Sequence, residues 1–156
     1  MMVFGIKIRM AARMNKSTWT ISSAEGWSVV ASAIASQLSD GSILTLSGPL
    51  GAGKTTFVQA LAQELGSTRN PKSPTFTMLR TYPISKKGLS RLLHLDAYRI
   101  EREIDLLPLD LDEELETPGT ILVIEWPEQI PEWLATHPHL ALTIEIAGEG
   151  RRAILS

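Results

Sequence analysis

Residues 48–55 read Gly-Pro-Leu-Gly-Ala-Gly-Lys-Thr and match the pattern G-x-x-x-x-G-K-[ST]. Backbone N–H groups can converge on phosphate oxygens only where side chains are absent and φ is free, and glycine meets both conditions. The ammonium of Lys54 can reach the β- and γ-phosphates, and the hydroxyl of Thr55 can bind Mg²⁺. The segment therefore predicts a nucleoside triphosphate site.

Two carboxylates could complete that site, because Mg²⁺ needs an acidic ligand at the end of a nearby strand. Glu125 ends the apolar run "ILVI", and Asp96 ends "LLHL". Alternation along the second run and the residues after it places His94, Asp96 and Tyr98 on one strand face. The residues leave the choice between the two acids open, and each could instead be a solvated strand end. His94 is interpreted as a hydrogen-bonded structural residue rather than a base.

Thr75 is a third candidate, on the polar loop that follows the predicted phosphate-loop helix. Pro74 keeps Ser73 extended and stiffens the approach to Thr75. This placement is typical of a switch threonine that responds to Mg²⁺ and the γ-phosphate, although an ordinary β-branched residue could also start a strand there. The single Asn-Lys pair, at residues 15–16, precedes the loop and lacks the N-K-x-D form, which favours ATP over GTP.

The phosphate loop requires a strand before it and a helix after it, and the sequence predicts both. The run "SILTL" (42–46) reads as a buried strand, whereas Val58, Leu61 and Leu65 recur at helical spacing. The N-terminus of that helix would add a partial positive charge. This context favours a phosphate site over a glycine-rich turn without a ligand.

Other segments complete the predicted architecture. "TWTI" (18–21) reads as a strand, Ser22 and Glu25 have the spacing of a capping box, and a helix is expected to continue to Asp40. "TFTMLRTYPI" and "LSRLLHLDAY" flank "SKKG" and predict a hairpin, and "LALTIEIAG" with "RRAIL" predicts another. Helical crossovers combined with hairpins indicate an α/β domain with a mixed sheet flanked by helices.

Composition limits the class of protein. The chain of 156 residues fits a single domain, and its net charge of −2 gives no global attraction to nucleic acid or anionic membranes. It contains no cysteine, which excludes disulfides and cysteine-based zinc sites and fits a reducing compartment. Its apolar runs are too short to span a bilayer, so a cytoplasmic protein is expected.

Residues 1–16 carry four basic residues and no acid. They lack the apolar stretch of a signal peptide and are short for a transit peptide. We interpret them as a loosely ordered extension, or as a mis-assigned start ahead of Met14, that precedes a domain over 17–156.

Four segments, "GPLGAGKTT", "SPTFT", "HLDAYR" and "VIEWPE", resemble the TsaE (YjeE) family in order and spacing. A phosphate loop alone would indicate only a large superfamily, whereas the other three segments are much more specific. The similarity runs from about residue 18 to the end. It implies a P-loop NTPase fold and a small ATPase of bacterial threonylcarbamoyladenosine synthesis on tRNA.

The resemblance also implies cofactors and partners. Members of the family bind ATP with Mg²⁺ and hydrolyse it weakly alone. They act with TsaD and TsaB, the pair that transfers the threonylcarbamoyl group to the adenosine beside the anticodon. The ATP cycle is thought to reset that pair between turnovers, so tRNA is engaged indirectly and no membrane is involved.

Site residues carried over by position form two groups. The resemblance assigns Thr55 and Glu125 to the metal, Asp96 to the neighbourhood of the γ-phosphate and Thr75 to the switch. The residues implied to contact the nucleotide are Glu25, Gly51, Ala52, Gly53, Lys54, Thr55, Thr56, Trp126, Gly150 and Arg151. Arg99 is the candidate for a stabilising arginine.

The chain departs from the family pattern in the acidic stretch 101–116, which holds eight acids and one arginine and should form short helices. Pro108 lies where a glycine-containing turn is usual.

Two other functions remain open. A small-molecule kinase would need an acceptor pocket and usually an arginine-rich lid, which this acidic stretch does not provide. A nucleotide-sensing module would bind without meaningful turnover.

Overall fold

A computed structural model of the chain describes residues 17–69 and 78–156. These residues form one seven-stranded sheet with helices on both faces. The strands are β1 (Ser17–Ile21), β2 (Ile43–Ser47), β3 (Leu79–Pro83), β4 (Arg91–Asp96), β5 (Thr120–Glu125), β6 (Leu140–Ala147) and β7 (Gly150–Leu155). The α-helices are α1 (Ala24–Ala35), α2 (Lys54–Glu64), α3 (Leu111–Glu116) and α4 (Pro131–Ala135), and 3₁₀-helices run Glu103–Leu109 and Pro127–Gln129.

The strand order in the sheet is β1-β7-β6-β2-β5-β4-β3. The central strands β6, β2, β5 and β4 run parallel to one another. Strand β7 runs antiparallel to both β1 and β6, and β3 runs antiparallel to β4. The mixed sheet, the two hairpins and the single-domain architecture that the sequence predicts are confirmed.

The register of the central strands brings the candidate site together. Leu46 of β2 is the partner of Glu125 on β5, which in turn is the partner of Asp96 on β4. Because the three strands are parallel, their carboxyl ends meet at one edge of the sheet. Ligands of open parallel sheets bind at this edge.

Two cores anchor the helices to the sheet. Helices α1 and α2 cover one face, where Trp27 and Phe57 are buried. The segment 103–109 with α3 and α4 covers the other face through residues such as Leu106 and Leu134. Full burial of one such side chain contributes roughly 1.5–3 kcal/mol. The helix that follows the phosphate loop is therefore anchored by its own apolar face.

Helix α1 starts later than the sequence predicts. Its N-cap residue is Ser23, with φ −152° and ψ 169°. The predicted capping box of Ser22 and Glu25 is therefore wrong, because the N-cap lies one residue later than that spacing requires. The hydroxyl of Ser23 lies 3.4 Å from the Glu25 carboxylate and makes no capping hydrogen bond.

The helix also ends at Ala35, five residues before the predicted end at Asp40. Asp40 has a different role, since its carboxylate accepts hydrogen bonds from the backbone N–H groups of Gly119 (2.8 Å) and Thr120 (3.3 Å). These bonds tie the turn before β2 to the start of β5.

The acidic stretch forms two short helices, as expected. Pro108 lies inside the first, and Asp110 joins them with φ 49° and ψ 47°. Aspartate tolerates this left-handed conformation better than most residues, so it makes a bend that glycine would make elsewhere. Within 17–69 and 78–156, no helix combines the length and apolar content that crossing a membrane requires.

Candidate functional site

The loop between β2 and α2 contains glycines that no other residue could replace without strain. Gly53 has φ 105°, and a Cβ atom there would lie 2.7 Å from the ring of Trp27 on α1. A Cβ atom at Gly48 would lie 2.5 Å from the carbonyl oxygen of Ile144 on β6. The loop is thus packed closely between α1 and the sheet, and its shape is a property of the fold.

Lys54 is the first residue of α2, and its side chain is only 6% exposed. Its Nζ donates to the carbonyl oxygens of Gly48 (2.6 Å) and Pro49 (3.0 Å) and lies 4.3 Å from the centroid of the Trp126 ring. Burial lowers the pKa of Lys54, while the charges of Glu125 and other acids oppose that shift. A buried ammonium beside the exposed N–H groups of a helix start attracts an anion.

Asp96 and Glu125 end adjacent parallel strands as register partners. The Asp96 carboxylate accepts a hydrogen bond of 3.0 Å from the backbone N–H of Tyr98. Burial raises the pKa of Asp96, the hydrogen bond from Tyr98 lowers it, and the neighbouring Glu125 charge raises it further. The pair presents two carboxylates at the edge where the phosphate loop begins.

Glu125 is almost fully buried, with 4% exposure, so the alternative of a solvated strand end is wrong for this residue. Its Oε2 lies 2.6 Å from Nε2 of His94, whose side chain is fully buried. His94 is therefore hydrogen-bonded, as the sequence predicts. Its contact with Glu125 was not predicted, because it depends on β4 lying beside β5.

Trp126 follows Glu125 directly and adopts φ 60° and ψ 53°. A left-handed conformation is a genuine outlier for so bulky a residue, and conformations of this kind cost on the order of 1–3 kcal/mol. The turn brings the ring over Lys54 and to 4.9 Å from the ring of Tyr98. Tyr98 thereby joins the site, and its place two residues after Asp96 was the sequence signal for it.

Arg151 lies against the phosphate loop from β7. Its Nε donates to the carbonyl of Ala52 and its Nη2 to the carbonyl of Gly51, both at 3.1 Å, while Nη1 donates to the carbonyl of Gly150 (2.9 Å). The Gly150-Arg151 element therefore lies against the loop. Arg151 hydrogen-bonds to carbonyl oxygens of the loop backbone and leaves the loop N–H groups to other partners.

Glu25 and Thr56 line one open cleft of about 320 Å³ between the starts of α1 and α2. Thr56 is exposed and Thr55, one residue earlier, is partly buried. The cleft adjoins the phosphate loop, so Glu25 lies on the side of the site where the rest of a nucleotide could extend. The other lining residues are Ala24, Trp27, Ser28, Gln59, Ala60 and Gln63.

Two further sequence candidates are Thr75 and Arg99. Thr75 lies outside the described residues. Arg99 is exposed in the turn after β4. Among the residues that the structure describes, no group of three or more His, Asp or Glu side chains could hold a metal by itself.

Comparisons with known proteins agree over nearly the whole chain. The family model described as Threonylcarbamoyl adenosine biosynthesis protein TsaE matches residues 21–154. The tRNA threonylcarbamoyladenosine biosynthesis protein TsaE of Bacillus subtilis (strain 168) is 39% identical over 141 residues, spanning 90% of this chain and 85% of the relative. Its namesake in Mycobacterium bovis is 34% identical over 150 residues, spanning 90% and 88%.

A solved structure is similar in both fold and sequence. The crystal structure of YdiB from Bacillus subtilis superposes with a TM-score of 0.69 at 32% identity, covering 91% of this chain and 85% of that one. The likeness confirms the P-loop fold. Together with the match to residues 21–154, it establishes that the chain belongs to the TsaE family of tRNA threonylcarbamoyladenosine biosynthesis proteins.

Proposed function

We propose that the protein binds ATP with Mg²⁺ and hydrolyses it as the nucleotide-dependent component of the threonylcarbamoyladenosine machinery, with TsaD- and TsaB-type partners. The observation that carries the proposal is the convergence of a buried Lys54 ammonium, a glycine-rich loop and two register-paired carboxylates at one sheet edge. Each of these elements fits a triphosphate with its metal.

Each group has a distinct role in this proposal. The loop from Gly51 to Thr56 and the Lys54 ammonium bind phosphate oxygens, and Thr55 and Glu125 hold Mg²⁺. Bound ATP supplies a phosphoryl group that can pass to water. Asp96, beside Glu125, orients that water.

Trp126 and Arg151 shape the site around Lys54 and the loop. Glu25 and Gly150 complete the nucleotide contacts. Thr75 is the switch residue, whose segment responds to the γ-phosphate and presents a surface to the partners. Low turnover by the protein alone is expected if a partner supplies a missing element.

Two alternatives make different predictions. A small-molecule kinase would phosphorylate an acceptor stoichiometrically, and the acidic stretch 101–116 disfavours anionic acceptors. A nucleotide-sensing module would bind ATP without meaningful turnover. The net charge of −2 disfavours direct tRNA binding, so tRNA is engaged through the complex.

The experiment is a pull-down with TsaD–TsaB in ATP, in ADP and without nucleotide, with ATP turnover measured in parallel. We expect association to depend on the nucleotide and hydrolysis to rise when the partners are added. Hydrolysis that is unchanged by the partners would contradict the ATPase role.

A further inference from the structure

We infer that His94 is a positioning residue for Glu125, donating from Nε2–H to Oε2 and thereby determining which carboxylate oxygen remains available to a metal. The inference rests on the proposed function only in its reference to the metal. The hydrogen bond and the imidazole tautomer belong to the protein alone.

The contact is buried and short. His94 has no exposed surface, Glu125 has 4%, and the Nε2–Oε2 distance is 2.6 Å. A nitrogen and a carboxylate oxygen at this separation share one proton. Either the imidazole donates to a carboxylate, or a protonated Glu125 donates to the imidazole.

The other ring nitrogen decides between these possibilities. Nδ1 of His94 is buried, and no residue that the structure describes gives it a hydrogen-bond partner. A buried N–H without an acceptor is much rarer in proteins than an acceptor without a donor. Nδ1 is therefore bare, and the ring carries its proton on Nε2, which donates it to Oε2 of Glu125.

Glu125 needs this support because of its neighbour. Asp96 is its register partner on β4, so two carboxylates end adjacent strands and repel each other. An N–H donor on one oxygen restricts rotation of the carboxyl group and leaves the other oxygen free. Outer hydrogen-bond partners orient metal ligands in the same way at other protein sites.

Two substitutions separate the hydrogen bond from packing. His94→Gln keeps an N–H donor four bonds from Cα, as in Nε2 of histidine, whereas His94→Leu fills the space without a donor. Thr45→Val is the matched control, because Thr45 is also a buried polar residue on a central strand but hydrogen-bonds to the Leu140 carbonyl instead. All three are compared with the unmodified chain.

The measurement is the dissociation constant of a non-hydrolysable ATP analogue, determined once with saturating Mg²⁺ and once with EDTA. In His94→Leu, we expect the value with Mg²⁺ to weaken by about tenfold and the value with EDTA to stay unchanged. His94→Gln should recover most of the loss, and Thr45→Val should show none. Equal weakening with and without Mg²⁺, or no weakening, overturns the inference.

A second readout does not require the variants to fold. Long-range ¹H–¹⁵N spectra of the unmodified protein should show His94 as the Nε2–H tautomer. A proton on Nδ1 would overturn the inference directly. If the unmodified protein failed to bind the analogue, the proposed function would fall while the tautomer could still be observed.

Discussion

The guanidinium of Arg151 donates from Nη2 to the carbonyl oxygen of Gly51, 3.1 Å away and 100 positions earlier in the chain. With the bond from Nε to Ala52, this contact fastens the phosphate loop to β7. The carbonyl of Ala52 shares its peptide with the N–H of Gly53, which faces a candidate phosphate position in this loop motif, whereas the N–H of Ala52 donates to the carbonyl of Pro49 (3.1 Å). Restraining the carbonyls therefore restrains the anion-binding side as well.

Replacing Arg151 by alanine should weaken ATP·Mg²⁺ binding by about tenfold. A hydrogen bond from a charged group contributes about 1.5–3 kcal/mol, and about 1.4 kcal/mol corresponds to a factor of ten. Arg152→Ala is the control, since that neighbouring side chain pairs with Glu145 on the surface. Calorimetric titration of both variants measures the difference, and equal affinities would show that the loop does not depend on this contact.

Lys54→Ala should weaken nucleotide binding more than about tenfold, because it removes a buried cation that no other described side chain replaces in the loop. Lys86→Ala, at an exposed position in the β3–β4 turn, should leave binding unchanged. The measurement is equilibrium binding of ATP in the presence of Mg²⁺. Comparable losses in the two variants would mean that general charge, and not the position of Lys54, determines affinity.

Glu125→Gln should impair Mg²⁺-dependent hydrolysis more than nucleotide docking. Loss of even an outer partner of a metal ligand costs about 10- to 100-fold, so loss of the ligand should lower kcat by at least about tenfold. Glutamine keeps an acceptor for His94, which limits structural damage. Turnover is measured with the partner proteins present. Normal turnover in this variant would contradict the assignment of Glu125 as a metal ligand.

Asp96→Asn should stabilise the folded protein at neutral pH while lowering turnover. Burial raises the pKa of Asp96 above 3.8, so ionisation is less favourable in the folded state than in the unfolded one. Ionised Asp96 therefore lowers the free energy of unfolding of the unmodified protein above the folded-state pKa, and this penalty disappears as the pH falls towards 3.8. Because the group is partly exposed, the gain should stay below about 1 kcal/mol.

The free energy of urea unfolding, measured at about pH 7 and at about pH 4.5, gives the comparison. Asparagine retains an acceptor for the Tyr98 N–H, so the variant isolates the charge. A gain that grew at the lower pH would have the wrong sign and would contradict the assignment of a raised pKa.

Gly53→Ala should destabilise the fold by more than Gly88→Ala. Both glycines have positive φ, 105° and 75°, but a Cβ atom at Gly53 would lie 2.7 Å from the Trp27 ring, whereas none lies within 4 Å at Gly88. The two variants therefore share backbone strain and differ in overpacking, which costs about 1–3 kcal/mol. Thermal and urea unfolding measure the difference, and equal losses would mean that Trp27 moves away freely.

Much of the site could be predicted from periodicity and local chemistry. The strand before Gly48, the helix after it and the acids at two strand ends were all visible in the sequence. Periodicity identifies the face of a strand on which a side chain lies, but it does not identify the neighbouring strand. The contacts of His94 with Glu125 and of Arg151 with Gly51 depend on strand order, so they were visible only in the fold.

Local signals failed where tertiary contacts compete with them. Ser22 has the spacing of a capping residue, but the N-cap is Ser23, which has the extended backbone usual at that position. Asp40 resembles a helix end, but its carboxylate binds the N–H groups of Gly119 and Thr120 instead. At Asp40, the contact with the start of β5 takes the place of the local helix end.

The pairing of β1 with β7 joins the first described strand to the last one, and every residue of Ser17–Ile21 has its register partner in 151–155. During synthesis on the ribosome, β1 must therefore wait without its partner until β7 has been made. The side chain that fastens the phosphate loop arrives at the same late moment. Nucleotide competence should thus appear only once β7 has been made, with the slow folding typical of distant strand pairings.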